Sequence, residues 1–341
     1  MRCVMFRILG AALAAAVALS PACVQAQPKM VNLNMGSTSS TSAVYAWCVA
    51  TANVINKAGL GLNVTVIESG AALDNLRKLK DGSFDFALSI DIPSAMQMYN
   101  GIDAFKGKQW SDVRVLFIRN VTVDRIYVRK DAGVKTFTDL SGKRFSPGIP
   151  GASSTQYMMK FDEVLRSKIS FMPGALGDSM NAFQSNKIVG LQKTSPIHAI
   201  DASLIEVSMT TPITVVGFTR EDTEKIRQVY PYIPFIETAK GGIAQLPDAG
   251  PMYELAPIVG AMASKELPEE VAYKIVKAYR EGLEEVAASY PSVKGWDPIG
   301  DMFKYVPEGA EVPAHAGMVR YAKEKGIDVP KRFLPPEVKP N

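Results

Sequence analysis

From Met30 to Ile90 the hydrophobic period switches between two and 3.6, and that succession admits few folds. Met30–Met35 (MVNLNM) alternates apolar and polar residues, as a half-buried strand does. A helical stretch follows from about Ala43 to Lys57 and is closed by Gly59 and Gly61. Leu62–Glu68 (LNVTVIE) reads as the next strand. Gly70-Ala71-Ala72 leads into a helix ending near Gly82, and Phe84–Ile90 (FDFALSI) is a third strand. A βαβαβ order predicts a mostly parallel sheet in an α/β fold, with ligands at the carboxyl ends of its strands.

The remainder calls for a second unit. A chain of 341 residues exceeds what one compact core usually holds. Val113–Ile118 and Arg125–Val128 are strand-like, with the polar stretch Arg119–Asp124 between them. Phe145–Ser146 reads as a short strand, Pro147–Ser154 as a Gly/Pro loop and Thr155–Ser167 as a helix. Leu176–Ser185 and Thr219–Val229 are predicted helices, and Val189–Gln192 and Glu206–Ser208 short strands. Apolar strand character returns after Ala256. One long helix is then expected from Pro268 to about Ser289, with Glu269 and Glu270 at its positive end. A last helix covers about Ala314–Lys325.

The first 26 residues have the layout of a secretory signal peptide. Arg2 and Arg7 precede a short apolar run, Ile8–Leu19, and Val24-Gln25-Ala26 offers small residues for cleavage. Cleavage would leave residues 27–341, with Cys48 as the one cysteine and so no intramolecular disulfide. Lys and Arg number 38 against 34 Asp and Glu, a net +4, and no basic run exceeds two residues. That balance argues against nucleic acid as a partner. Two histidines and three cysteines are too few for a His/Cys zinc site. No nucleophile elbow, phosphate-cradling loop or His-Glu-x-x-His motif is present, so neither a catalytic set nor a cofactor is expected. His198 and His315 read as surface or capping residues, and Cys48 as a small buried one.

What chemistry there is lies in hydroxyls at helix starts. Ser37, Thr38, Ser39, Ser40, Thr41 and Ser42 run together before the first helix. Gly148–Thr155 again places a flexible loop and Ser153, Ser154 and Thr155 before a helix, now in the second unit. A helix start leaves backbone N–H groups unpaired and carries partial positive charge, so it attracts anions. One hydroxyl suffices as a cap. Two such starts facing each other would clamp an anionic or zwitterionic ligand.

Five segments in order resemble the solute-binding subunit of tripartite ATP-independent periplasmic (TRAP) transporters of the TAXI family. They are MGSTSSTSAVY, ESGAALDNLRKLKDGSFDFALS, YNGIDAFKG, DLSGKRFSPGIPGASST and VPAHAGMVRYAKEKG. The resemblance implies a two-lobed, type II periplasmic-binding-protein fold with its ligand cleft between the lobes. Lobe 1 would comprise residues 27–120 and 256–341, and lobe 2 residues 121–255. Arg119–Asp124 and Met252–Pro257 would be hinge strands. It further implies a periplasmic binder, not an enzyme, that captures a small organic acid or amino acid such as glutamate or 2-oxoglutarate. TRAP membrane permease subunits would be its partners. Mapped residue by residue, first-lobe ligand contacts fall on Ser37, Ser39, Ser40 and Tyr45, with Ser89 and Asp91 at a strand end. Second-lobe contacts fall on Ser153, Ser154 and Thr155, and on Gln192. Arg119 either pairs with a ligand carboxylate or faces solvent at the hinge. Ala71 and Ala72 stand where the family usually has a Gly and a Ser. An ABC-type binding protein, or an exported enzyme on the same fold, remains open on these residues.

Overall fold

A computed structural model of the chain describes residues 30–40, 42–150 and 152–338. The leader expected over residues 1–26 lies outside them. The predicted alternation is present as β1 (Val31–Gly36), α1 (Ala43–Lys57), β2 (Leu62–Ile67), α2 (Ala72–Lys80) and β3 (Phe86–Asp91). Helix α3 (Ile92–Asn100) follows at once. Strands β4 (Val113–Val121) and β5 (Val123–Arg129) lead into the second unit. Its first half is β6 (Arg144–Ser146), α4 (Ser153–Leu165), β7 (Ser170–Phe171), α5 (Leu176–Gln184) and β8 (Gly190–Ser195). Its second half is α6 (Ala202–Thr210), β9 (Ile213–Val216), α7 (Arg220–Val229), β10 (Phe235–Thr238) and β11 (Met252–Leu255). Strand β12 (Ile258–Ser264) rejoins the first unit, with α8 (Glu269–Glu281), α9 (Leu283–Ser289), α10 (Gly300–Tyr305) and α11 (Ala316–Glu324) after it.

Two sheets result, each flanked by helices, in an α/β architecture of two units. The first has the order β2-β1-β3-β12-β4. Its β2, β1 and β3 are parallel, and β12 runs antiparallel to both its neighbours. The second has the order β10-β11-β5-β8-β6-β7, with β9 also paired to β5. The chain passes between the sheets twice, side by side. Ile258 pairs with Val121 in the first sheet, and Leu255 with Asp124 in the second.

Central strands are buried on both faces, as a sheet covered by helices requires; every residue of β4 is buried. Helix α8 lays Val271, Ala272, Ile275, Val276 and Tyr279 on that core. The Tyr279 ring stacks on Phe117 at 3.9 Å, and Trp47 Nε1 donates to the Tyr279 hydroxyl at 3.0 Å. Each such side chain contributes roughly 1.5–3 kcal/mol by leaving water. Gly36 is required by close approach, since a Cβ there would stand 2.4 Å from the Phe84 ring.

The polar crossing is not a solvated loop. Arg125 is fully buried and grips Glu254 with two hydrogen bonds, Nε to Oε1 at 2.8 Å and Nη2 to Oε2 at 2.9 Å. Its remaining donors reach the carbonyls of Pro196, Ile197 and Ala199. Such a pair needs its lone pairs and protons filled to offset the cost of desolvation, and here they are. Side chains also join the units away from the crossing. Tyr157 Oη donates to Asp91 Oδ1 at 3.3 Å and accepts from Gln97 Nε2 at 3.2 Å. Lys160 pairs with Asp103 at 3.2 Å, and the Tyr232 hydroxyl donates to Asp103 as well.

Two sequence expectations are corrected. Glu206–Ser208 is not a strand but part of α6, capped by Asp201 and burying Leu204 and Val207 three residues apart. A three-residue run is too short for its period to decide. The long helix to Ser289 is two helices, α8 and α9. They divide at Gly282, where the chain passes so close to α1 that a Cβ would stand 2.8 Å from Val54 Cβ.

Candidate functional site

Four helix starts, that of α3 through its cap Asp91, and two irregular strands converge on one cleft of about 310 Å³ between the sheets. Ser42, the N-cap of α1, lines it; so do Ala71, at the start of α2, and Ala152 with Ser153 and Ser154, at the start of α4. Neither Ala71 nor Ala152 makes a side-chain capping bond. First-turn N–H groups there are available to an anion. Helices α1, α2 and α4 add positive potential to the same space.

The strands contribute through bulges. On β3 the register steps from Ala87↔Met262 to Ile90↔Gly260, so two β3 residues oppose one on β12. The bulge holds Ser89 at φ 60, and Ser89 lines the cleft. On β4 the register steps from Ile118↔Gly260 to Asn120↔Val259, leaving Arg119 as the extra residue. A bulge re-aims its side chain out of the strand's alternation. Arg119 lines the cleft while only 3% exposed, which removes the solvent-facing alternative for it. Its guanidinium lies over Trp47 and Tyr290, at 5.5 and 5.7 Å from the ring centroids. Nε donates to Asn120 Oδ1 at 2.7 Å. Among the described residues no carboxylate pairs with it.

The residues singled out from sequence divide into two groups. Ser89, Asp91, Arg119, Ser153 and Ser154 lie together on the cleft. Ser37, Ser39, Ser40, Tyr45, Thr155 and Gln192 stand around it without lining it. Ser37 is buried, and its hydroxyl donates to the Ile67 carbonyl at 2.7 Å. Ser40 is turned to Glu68, which accepts from both its backbone N–H, at 2.8 Å, and its hydroxyl, at 3.1 Å. Those bonds, the backbone one foremost, hold the Glu68 carboxyl below its ordinary range. Ser39 and Tyr45 are half-buried. Thr155 shapes the loop before α4, donating to the carbonyls of Pro147 and Ile149 at 3.0 and 2.9 Å. Gln192 is buried, and its Nε2 has no hydrogen-bond partner among the described residues.

Sequence reasoning missed Thr38, the segment Gly70–Leu73, Asp124, Lys193 and Thr194, all on the lining. Two buried acids sit among them with different degrees of satisfaction. Asp91 caps α3: Oδ1 accepts from Ser94 N–H at 2.9 Å and Oδ2 from the Ser94 hydroxyl at 2.8 Å. Burial still pushes its carboxyl up. Asp124, 1% exposed, accepts one bond, from Thr194 Oγ1 to Oδ1 at 2.6 Å. Its Oδ2 has no partner among the described residues. Burial raises Asp124 to about 7; the Thr194 bond opposes that, and the neighbouring Asp91 charge adds to it. His198 is exposed, whereas His315 is buried and caps α11, its Nδ1 accepting from Gly317 N–H at 3.1 Å.

A family model described as the NMT1-like family matches residues 35–326. Among solved structures, an ancestral arginine-binding protein bound to arginine aligns at TM-score 0.46 and 14% identity, over 77% of this chain and 98% of its own. The GluR0 ligand-binding core from Nostoc punctiforme, in complex with L-glutamate, aligns at TM-score 0.45 and 13% identity, over 80% and 98%. The alkanesulfonate-binding protein of Xanthomonas axonopodis pv. citri, bound to MOPS, aligns at TM-score 0.43 and 14% identity, over 90% and 97%. At these scores none bears on what the present chain binds.

Proposed function

The chain belongs to the NMT1-like family, and from that premise we propose that it is the extracytoplasmic solute-binding subunit of a TRAP transporter of the TAXI type. In this reading residues 27–120 with 256–341 form one lobe and 121–255 the other, and the paired crossings at Val121–Val123 and Leu255–Ile258 are the hinge. A small organic acid or amino acid is held between them and passed to membrane permease subunits, with no turnover. Residues 1–26 direct export to the periplasm. Among the described residues no helix is long and apolar enough to cross a membrane.

One observation carries the reading: a cleft at the low end of ligand-pocket sizes, lined from both sheets by helix starts, hydroxyls and a buried arginine with no carboxylate partner among the described residues. Ser89, Asp91, Arg119, Ser153 and Ser154, joined by Thr38 and Ser42, are the proposed contacts. An anion there would meet Arg119 and the first-turn N–H groups of α2 and α4 without bringing its own counter-ion.

The test is isothermal titration of protein stripped of solute by unfolding and refolding, against a panel of organic acids and amino acids. One solute bound per monomer, unchanged after incubation, supports the reading; silence across the panel overturns it. Uptake into proteoliposomes carrying the membrane partners then separates transporter classes. Uptake driven by an ion gradient supports the TRAP assignment, and a strict need for ATP overturns it in favour of an ABC-type partner.

A further inference from the structure

Resting on that reading, we infer that the solute is a zwitterion: its anionic group lies at Arg119 and its cationic group at Asp124, which sets the specificity for an amine. Two features of the cleft carry this. Arg119 is a buried cation with no paired carboxylate among the described residues, so it favours an anion. Asp124 is a buried acid on the same lining whose Oδ2 accepts nothing from the described residues. A buried acceptor without a partner is costly, more so when charged. An ammonium N–H placed against it recovers that cost and forms a charge-assisted bond.

Asp91 does not take this role. Both its oxygens already accept bonds, from Ser94 and from Tyr157 of the opposite unit. It works instead at a distance, because two acids beside one cleft repel and a cation between them relieves the repulsion. The groups facing Asp124 are Thr194 and Lys193 on β8, Glu254 on β11 and Asp91 at the end of β3. Glu254 is neutralised by Arg125, and Lys193 has its nearest carboxylate in Asp201 at 3.9 Å. Thr194 occupies the other Asp124 oxygen and so leaves Oδ2 for the solute. A monocarboxylate or dicarboxylate would satisfy Arg119 and leave Asp124 as it is. An amino acid satisfies both.

Each of twenty L-amino acids is titrated beside its 2-oxo acid, at pH 8 and pH 6, into the full mature protein and its Asp124→Asn variant. The expected result is an amino acid that binds at least 10-fold tighter than its 2-oxo acid at pH 8. That preference shrinks toward pH 6 as Asp124 takes up a proton, and largely disappears in Asp124→Asn, which loses amino-acid affinity while keeping or gaining 2-oxo acid affinity. Retained 2-oxo acid binding shows that the variant is folded. Should Asp124→Asn fail to fold, the wild-type pH dependence of the preference decides alone. Binding of 2-oxo acids as tight as, or tighter than, the matching amino acids overturns the inference and leaves the binding-protein reading standing. Equal losses for both ligands in Asp124→Asn also overturn it. Silence from both halves of the panel overturns the reading itself, and the inference falls with it.

Discussion

Ala71 to glycine should make the protein more stable, although the substitution deletes a side chain. Ala71 is held at φ 65 and ψ −149, a combination of dihedrals that glycine alone adopts readily. The surroundings fix it from both directions: its N–H donates to Ser69 Oγ at 3.2 Å and its carbonyl accepts from Asn75 N–H at 2.8 Å. A residue so held stores on the order of 1–3 kcal/mol of strain. Glycine removes that strain but gives the unfolded chain more freedom, which costs about 0.4–1 kcal/mol. The balance is a stabilisation of about 0.5–2 kcal/mol. At about 1.5 °C per kcal/mol for a chain of this length, calorimetry should show Tm rising by about 1–3 °C. Ala72→Gly serves as the control. Ala72 is the first helical residue of α2 and is buried; glycine there loses the buried methyl and frees the unfolded chain, so its Tm should fall. An Ala71→Gly Tm equal to or below wild type would refute the argument, because the strain would then be absent.

Two further outcomes follow from buried polar groups. Glu254→Gln breaks the bidentate pair with Arg125 and leaves a buried guanidinium charge uncompensated; it should cost about 3–5 kcal/mol in urea unfolding, and a loss under about 1 kcal/mol would contradict the assigned role. His315, 1% exposed, is pushed down to about 4 by burial. Its folded-state pKa is below the unfolded value of about 6.5, so the unfolded chain takes up the proton first. Stability is therefore intact above pH 6.5 and falls as the pH drops from 6.5 to 4, by up to about 3 kcal/mol from this group. In His315→Asn, which retains a capping side chain, the fall over that window should be shallower; parallel wild-type and variant curves would show that the histidine is not its source.

The fold was readable where the signal is local. Periods of two and 3.6 located β1, α1, β2, α2 and β3 to within a few residues, and the hydroxyl-rich loops correctly marked the starts of α1 and α4. Which hydroxyls reach the cleft was not readable. Ser37 turns to Ile67 and Ser40 to Glu68, partners about thirty residues away, while Thr38 and Ser42 are left on the cleft. The two bulges were equally hidden, since Ser89 and Arg119 become extra residues only against the register of β12, which enters from the far end of the chain. Asp124 lay in a stretch already noted as polar. Its half-satisfied state appears only once β8 supplies Thr194.

The bridges that Tyr157 and Lys160 make to Asp91 and Asp103 belong wholly to the polypeptide. The two units are thus fastened at a second place, away from the paired crossings, by bonds of the chain itself. Under the proposed function a solute would then not have to supply all the free energy that holds the units together. Under the proposed function this fastening would have to yield before a solute could leave, so a membrane partner that displaced Lys160 or Tyr232 from Asp103 would hasten unloading without touching the cargo.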